Sequence, residues 1–261
     1  MITETLPNPV RAKLSGGGCA YGIMAFEFFT PGLCQIAAGA GAEFIIFDME
    51  HSGVGIDTIK AQISFARGTG VAPYVRVPGL HYHLIAPVLD AGAMGIMVPM
   101  IETKEQAEKL ASWCRYRPEG VRGLAFGISH DDFTGGDLAE KMKRANERTL
   151  TIALIETVAG IENADAIMSV PGIDIGWLGH LDLTNSMGIT GQYEAPAYLA
   201  AVDRLAAACK RHGKTAGWLA GSVAKAKEFR AKGFRCLCYG TDISVFQAAL
   251  AEGIGALRTG S

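Results

Sequence analysis

What this chain lacks narrows its role before any residue is singled out. No apolar run reaches the roughly 18–20 residues that a membrane-spanning helix needs. The first residues, Met1-Ile2-Thr3-Glu4-Thr5-Leu6-Pro7, do not follow the basic-then-apolar order of a signal peptide. The expectation is a cytoplasmic protein with no membrane partner. Lys and Arg are scattered and the net charge is only −2. A nucleic-acid partner, which requires a basic stripe or patch, is therefore excluded. No Gly-x-Gly-x-x-Gly stands between a strand and a helix with an acidic residue downstream, which disfavours a dinucleotide fold. Cysteine is sparse: Cys19, Cys34, Cys114, Cys209, Cys236 and Cys238 sit mostly in apolar stretches, where a free thiol behaves as a small hydrophobe. Cys236 and Cys238 would share one side of a strand, but no second Cys pair or nearby His completes a zinc site.

What is present is a regular alternation. The chain has 261 residues, 49% of them hydrophobic, and 33 glycines, which suits a large core joined by many tight turns. Short apolar runs predict strands at about 19–25, 44–48, 72–76, 94–98, 151–155, 173–178, 214–218 and 235–239. Helical patterns fall between them, at 31–40, 55–67, 82–90, 104–115, 158–168, 195–211, 222–231 and 243–252. Eight such units in a chain of this size favour an α/β fold of the closed (β/α)8 TIM-barrel type, with residues 1–261 as one domain. Two connections are long: Tyr116 to Leu150, and the stretch after Asp182 through Gly188, Gly191 and Pro196. Both are expected to leave the top face, because long barrel loops are usually functional.

Charged residues recur just past the predicted strands, where barrel enzymes gather their chemistry. Phe44-Ile45-Ile46-Phe47 leads to Asp48, Glu50 and His51, and Pro73-Tyr74-Val75 leads to Arg76. Ile152-Ala153-Leu154-Ile155 leads to Glu156, and Trp177-Leu178 leads through Gly179 and His180 to Asp182. Glu156 and Asp182 either bind a hard cation such as Mg²⁺ or Mn²⁺ or cap the helices that follow them. Arg76 is either a fork for a substrate carboxylate or half of a buried ion pair with a neighbour such as Glu50. His51, with Asp48 and Glu50 beside it in sequence, is either a general base or a helix-start cap. His180 should face the site. His81 and His83 suit a surface or interface better than a metal, and His130 and His212 look like loop and helix-end residues.

Taken together, these residues resemble the HpcH/HpaI family of metal-dependent 2-oxo-acid aldolases. The resemblance runs from Tyr21 to about Ala249. Its carriers are Phe47-Asp48-Met49-Glu50-His51, Val75-Arg76-Val77-Pro78, Met97-Val98-Pro99-Met100, Arg115-Tyr116-Arg117-Pro118-Glu119-Gly120-Val121-Arg122-Gly123, Ile155-Glu156-Thr157, and Asp182-Leu183 with Met187-Gly188. The resemblance implies a barrel whose last helix is exchanged between neighbours, in homo-hexamers built as trimers of dimers. The face of Phe246, Ala248, Ala249, Leu250 and Ile254 agrees with such an exchange. It further implies that Glu156 and Asp182 hold a divalent cation (Mg²⁺, Mn²⁺ or Co²⁺), that Arg76 binds the oxo-acid, and that Asp48 and His51 act as a pair. Asp90 looks like the carboxylate that family sites take from an adjoining subunit, and Glu50, Gly179, His180, Leu181 and Trp218 fall at the substrate.

The implied reaction is reversible cleavage of a 4-hydroxy-2-oxo acid to pyruvate and an aldehyde. No lysine ends a predicted core strand near these groups, which argues against a Schiff-base aldolase. The chain departs from the family at Leu154, often a glutamine, and at Gly179-His180-Leu181-Asp182, usually Gly-Pro-small-Asp. It departs again at Trp218, bulky for a pocket wall. These departures leave hydroxypyruvate beside pyruvate as the oxo-acid product. Two alternatives remain: an acyl-CoA lyase of the malyl- or citramalyl-CoA type, and a non-catalytic anion-binding barrel.

Overall fold

Eight parallel strands close on themselves in strict chain order. The computed structural model describes residues 6–259. The chain opens with α1 (Pro9–Ser15) and then alternates through β1 (Ala20–Ala25), α2 (Leu33–Gly39), β2 (Phe44–Asp48), α3 (Ile56–Ala66), β3 (Ala72–Arg76) and α4 (Tyr82–Asp90). β4 (Gly95–Val98) and α5 (Lys104–Cys114) lead to a long segment carrying α6 (Leu138–Arg148), and then to β5 (Leu150–Ile155). After α7 (Val158–Glu162) and α8 (Ala164–Met168) come β6 (Ile175–Leu178), α9 (His180–Ser186), α10 (Pro196–Arg211) and β7 (Thr215–Ala220). The chain finishes with α11 (Val223–Ala231), β8 (Phe234–Thr241) and α12 (Asp242–Thr259). This is the (β/α)8 TIM barrel anticipated from the alternation. Among the described residues no helix is long and apolar enough to cross a membrane.

Strand residues divide by parity, as side chains on a pleated strand must. One core cluster fills the barrel interior: Ala20 and Met24, Phe44 and Ile46, Ala72 and Tyr74, Met97, Leu150 with Ile152 and Leu154, Ile175 and Trp177, Cys236 and Cys238. Val10 and Leu14 of α1 belong to the same cluster, so α1 closes the floor of the barrel. Asn8 starts α1 by accepting from the Val10 and Arg11 N–H groups, and Pro9 occupies the first turn, where its missing N–H has no partner to lose. The intervening residues, among them Ile45, Phe47, Val75, Ile96, Val98, Ala153, Ile155 and Trp218, face outward and pack against the helical shell. Trp177 fills the centre because Gly217 opposite it has no side chain. A Cβ there would lie 2.3 Å from the indole.

Several expectations change on folding. The 158–168 pattern breaks into α7 and α8 at Asn163. α1, α6 and α9 were not foreseen as helices. The Tyr116–Leu150 segment follows α5, not a strand, so it leaves the N-terminal end of the barrel rather than the top face.

The join between β8 and α12 is fixed by one carboxylate. Asp242 is 4% exposed, and it accepts from the backbone N–H of Phe26 (3.0 Å), Glu27 (2.9 Å), Phe28 (2.7 Å) and Ile243 (2.9 Å). It thereby ties the start of α12 to the loop after β1. Beyond it α12 buries nothing: Phe246, Leu250, Ile254 and Leu257 are all exposed. Asp242→Ala would leave these part-buried donors without their carboxylate, so urea unfolding should show a loss of about 2–4 kcal/mol. A loss under about 0.5 kcal/mol, the range of ordinary surface changes, would mean that the loop holds itself without Asp242.

Candidate active site

Three of the mouth residues sit where the inward register places them. Asp48 continues Phe44 and Ile46 on β2, Arg76 continues Ala72 and Tyr74 on β3, and Glu156 continues Ile152 and Leu154 one step past β5. Each is the last inward position of its strand, above a packed apolar floor. Asp48 is 0% exposed, Arg76 8% and Glu156 4%. Phe26, which continues Met24 past β1, lies beneath the guanidinium, its ring centroid 5.5 Å from Arg76 Cζ.

Arg76 is held by two carboxylates. Its Nε donates to Asp48 Oδ1 at 2.5 Å, and its Nη1 lies 3.2 Å from Glu50 Oε2 without the alignment of a hydrogen bond. Asp48 also curls the loop after β2, because Oδ1 accepts from Glu50 N (3.2 Å) and Oδ2 from His51 N (2.8 Å). This changes the expected pairing. Asp48 binds the backbone of His51, while Glu50 is the carboxylate beside the ring, with Oε2 3.7 Å from Nε2. His51 itself stands exposed at the rim. Burial raises the Glu50 carboxyl above its ordinary value, and Arg76 and His51 oppose that.

Glu156 is the most perturbed acid of the mouth. Burial pushes it up to about 7, helped by the charges of Glu50 and Asp182 and opposed by the Met100 N–H. That N–H donates to Glu156 Oε1 at 2.9 Å, and Met100 reaches it by adopting a left-handed backbone, φ 57°. A bulky residue at positive φ is uncommon and is found where function demands it. Met100 had no assigned role in the sequence. Its signal was the Pro99-Met100 turn directly after β4.

The remaining predicted residues divide. Asp182 lies exposed on α9, near enough for its charge to raise both Glu50 and Glu156. Gly179 faces inward beside Glu156: a Cβ on it would sit 2.5 Å from Glu156 Oε2. His180 and Trp218 turn away from the interior. Trp218 lies in the outer layer, stacked 3.5 Å over Phe229, and its Nε1 donates to His180 Nδ1 at 3.2 Å. The physical reason is alternation: Gly179 and Gly217 take the inward positions, so their successors must point outward. Burial lowers the His180 pKa. Leu181 is exposed on α9. Asp90 ends α4 and is held by Arg122 Nη2 at 2.7 Å. Because α4 descends from the strand ends toward the next strand's start, this carboxylate is not brought to Arg76 in its own chain.

Among the described residues no three His, Cys, Asp or Glu side chains form a ready-made metal cluster. Glu156 and Asp182 nevertheless fit a hard cation. They are two carboxylates close enough for the Asp182 charge to raise Glu156, and Gly179 leaves space beside Glu156 Oε2. Magnesium-type sites commonly use one or two carboxylates and leave other positions to water or substrate.

Comparison with known proteins agrees with this geometry. The HpcH/HpaI aldolase/citrate lyase family profile matches residues 24–249. A 5-keto-4-deoxy-D-glucarate aldolase of Shigella dysenteriae serotype 1 is 30% identical over 249 residues, covering 95% of this chain and 96% of its own. The crystal structure of an HpcH/HpaI aldolase from Desulfitobacterium hafniense DCB-2 superposes with a TM-score of 0.91 at 30% identity, covering 95% of this chain and 96% of its own. The citrate synthase SbnG superposes at 0.86 and 28% identity, covering 96% and 97%.

The raised Glu156 has a thermodynamic consequence. Between the usual carboxyl value of 4.5 and about 7, the folded chain keeps a proton that the unfolded chain has released, so rising pH destabilises the folded state across that window. Glu156→Gln removes this liability. In chelator-treated protein the variant should exceed the wild type in stability at pH 8, by up to about 3 kcal/mol, and the gap should shrink toward pH 4. Denaturant melts across that range test it, and a gap independent of pH would contradict a buried, strained carboxylate.

Proposed function

The chain belongs to the HpcH/HpaI aldolase/citrate lyase family and is a carbon–carbon lyase, and we propose that it reversibly cleaves 4-hydroxy-2-oxo acids to pyruvate or hydroxypyruvate and an aldehyde, with the aid of a divalent cation. The observation that carries this is Glu156, a buried acid at the last inward step of β5 whose flank is left open by Gly179. Glu156 and Asp182 would hold Mg²⁺, Mn²⁺ or Co²⁺. When bound, the cation supplies Lewis acidity at the keto oxygen of the 2-oxo acid.

The chain's own residues account for the rest. Arg76 offers its guanidinium to the substrate carboxylate and offsets negative charge that develops in the transition state. Asp48 and Glu50 hold that guanidinium in place, so little ordering is left for the moment of reaction. His51, at the rim, takes the proton of the C4 hydroxyl, with the Glu50 carboxylate 3.7 Å from its Nε2. As the C3–C4 bond breaks, its electron pair passes to C3 and delocalises onto the keto oxygen, and C4 departs as the aldehyde. Return of a proton to C3 completes the 2-oxo acid. His180 and Trp218 support this site from behind rather than touching substrate.

An acyl-CoA lyase is less well supported. CoA carries phosphates, yet the loops that leave strand ends, 26–32, 49–55, 77–81, 99–103, 156–157, 179–195 and 221–222, contain no Lys or Arg. We further propose a homo-hexamer of dimers in which α12 is exchanged and Asp90 reaches a neighbour's mouth. The uncovered apolar face of α12 supports it. Six unpaired cysteines, five of them buried, suit a reducing cytoplasm.

Exhaustive chelation should abolish cleavage, Mn²⁺ or Mg²⁺ should restore it, and borohydride with pyruvate should not trap the protein. Arg76→Lys should lose kcat/KM by about 10²-fold, because a lysine lacks the planar fork. Full activity after chelation, or covalent trapping, would overturn the mechanism.

Truncation before Ser244 removes most of α12 and should give dissociated, inactive protein by light scattering and assay. A fully active monomer would remove the shared site while leaving the lyase intact.

A further inference from the structure

The N-terminal end of the barrel, opposite the mouth, carries a cluster of cations that the mouth does not use. A cleft of about 200 Å³ lies there between the end of α1 and the starts of β6, β7 and β8, lined by Arg11, Leu14, Asp174, Lys214, Thr215 and Arg235. Asp174 is its single carboxylate. Its Oδ2 is already engaged, by Arg11 Nη1 at 3.1 Å, by Arg115 Nη2 at 2.9 Å and by the Thr151 N–H at 2.8 Å. Arg235 has no acidic partner among the described residues. Its donors go to the carbonyls of Leu14 and Gly18 and to Thr215 Oγ1, which carry only partial charge. Lys214 is half-buried and makes no ion pair among the described residues. Arg115 is 2% exposed, and its Nη1 is buried without a hydrogen-bond partner.

Three cations, Arg11, Lys214 and Arg235, thus line a partly enclosed space with one carboxylate, whose Oδ2 is already shared between Arg11 and the buried Arg115 behind it. Burial of uncompensated like charges is unfavourable, and the ordinary remedy is a counter-ion. The strain registers on Lys214: burial lowers its pKa, and the charges of Arg11 and Arg115 lower it further against Asp174. The mouth machinery uses none of these groups.

We propose that this cleft is a binding site for a small dianionic oxyanion, a phosphate or a short dicarboxylate, whose principal anchor is Lys214 and whose charge is balanced by Arg11 and Arg235. Its volume of about 200 Å³ admits a phosphate-sized group. A bound dianion would neutralise the excess charge and tie α1 to the starts of β7 and β8, so occupancy would be felt as stability of the barrel floor.

The test is calorimetric titration of the full-length protein with inorganic phosphate and, separately, with succinate, at constant ionic strength set by chloride. Saturable binding of one dianion per chain is expected. Lys214→Met should weaken it by about tenfold or more, the scale of a lost charge-assisted hydrogen bond, and Lys214→Arg should retain it. Arg76→Ala, at the other end of the barrel, should leave it unchanged. Binding of phosphate alone identifies a phosphoryl ligand, and binding of succinate alone a dicarboxylate. Absence of saturation with either probe, or equal binding to wild type and Lys214→Met (an adventitious ion only), overturns the proposal. So does loss of binding in Arg76→Ala, which would locate the anion at the mouth.

Discussion

Closure of eight parallel strands makes every second side chain face a common axis, and everything at the mouth inherits that register. Below, the inward positions are apolar and tightly filled, with Trp177 accommodated by Gly217. Above, the same parity delivers Phe26, Asp48, Arg76 and Glu156 to one rim. A strand that slipped by one residue would send its charged terminus into the apolar shell and its apolar partner into the mouth. Core packing and site assembly are therefore one constraint. The aliphatic residues that stabilise the barrel also hold the charged groups to their positions.

The charges so assembled compensate one another only in part. Arg76 is matched by Asp48 and by Glu50, and the guanidinium keeps its place because Asp48 is itself fixed by the backbone N–H groups of Glu50 and His51. Glu156 pairs with no cation among the described residues, and burial, helped by the neighbouring carboxylates, drives it toward neutrality. The result is a mouth with one organised positive group and one unsatisfied cluster of carboxylates. That combination suits an anionic substrate bridging an arginine and a divalent ion. The opposite end of the barrel has the inverse imbalance, with Arg11, Arg115, Lys214 and Arg235 around Asp174.

Much of the site could be read from sequence because strand-end chemistry is local. An apolar run followed by a charged residue identifies Asp48, Arg76 and Glu156 without knowledge of the partners, and counting by twos from Ala20 would have reached Phe26 as well. His180 and Trp218, expected at the substrate, turn outward by the same alternation that turns the others toward the mouth. Parity is set by which residue of a strand faces the axis, and at Gly179 and Gly217 the inward position carries no side chain to reveal it. The length of the Tyr116–Leu150 segment suggests a top-face loop, but because it follows the helix α5 it leaves the opposite end of the barrel.

The sequence by itself determined the alternation of eight strands with helices, the residues that end each strand and the family to which they belong, because periodicity and short motifs are properties of neighbouring residues. Only the tertiary structure decided that Asp48 serves Arg76 and the loop backbone while Glu50 stands beside His51, and that Met100 bends into a left-handed turn to reach Glu156. It alone gathered Arg115, Lys214 and Arg235 around Asp174. Those relations join residues far apart in the chain, and their geometry exists only once the barrel has closed.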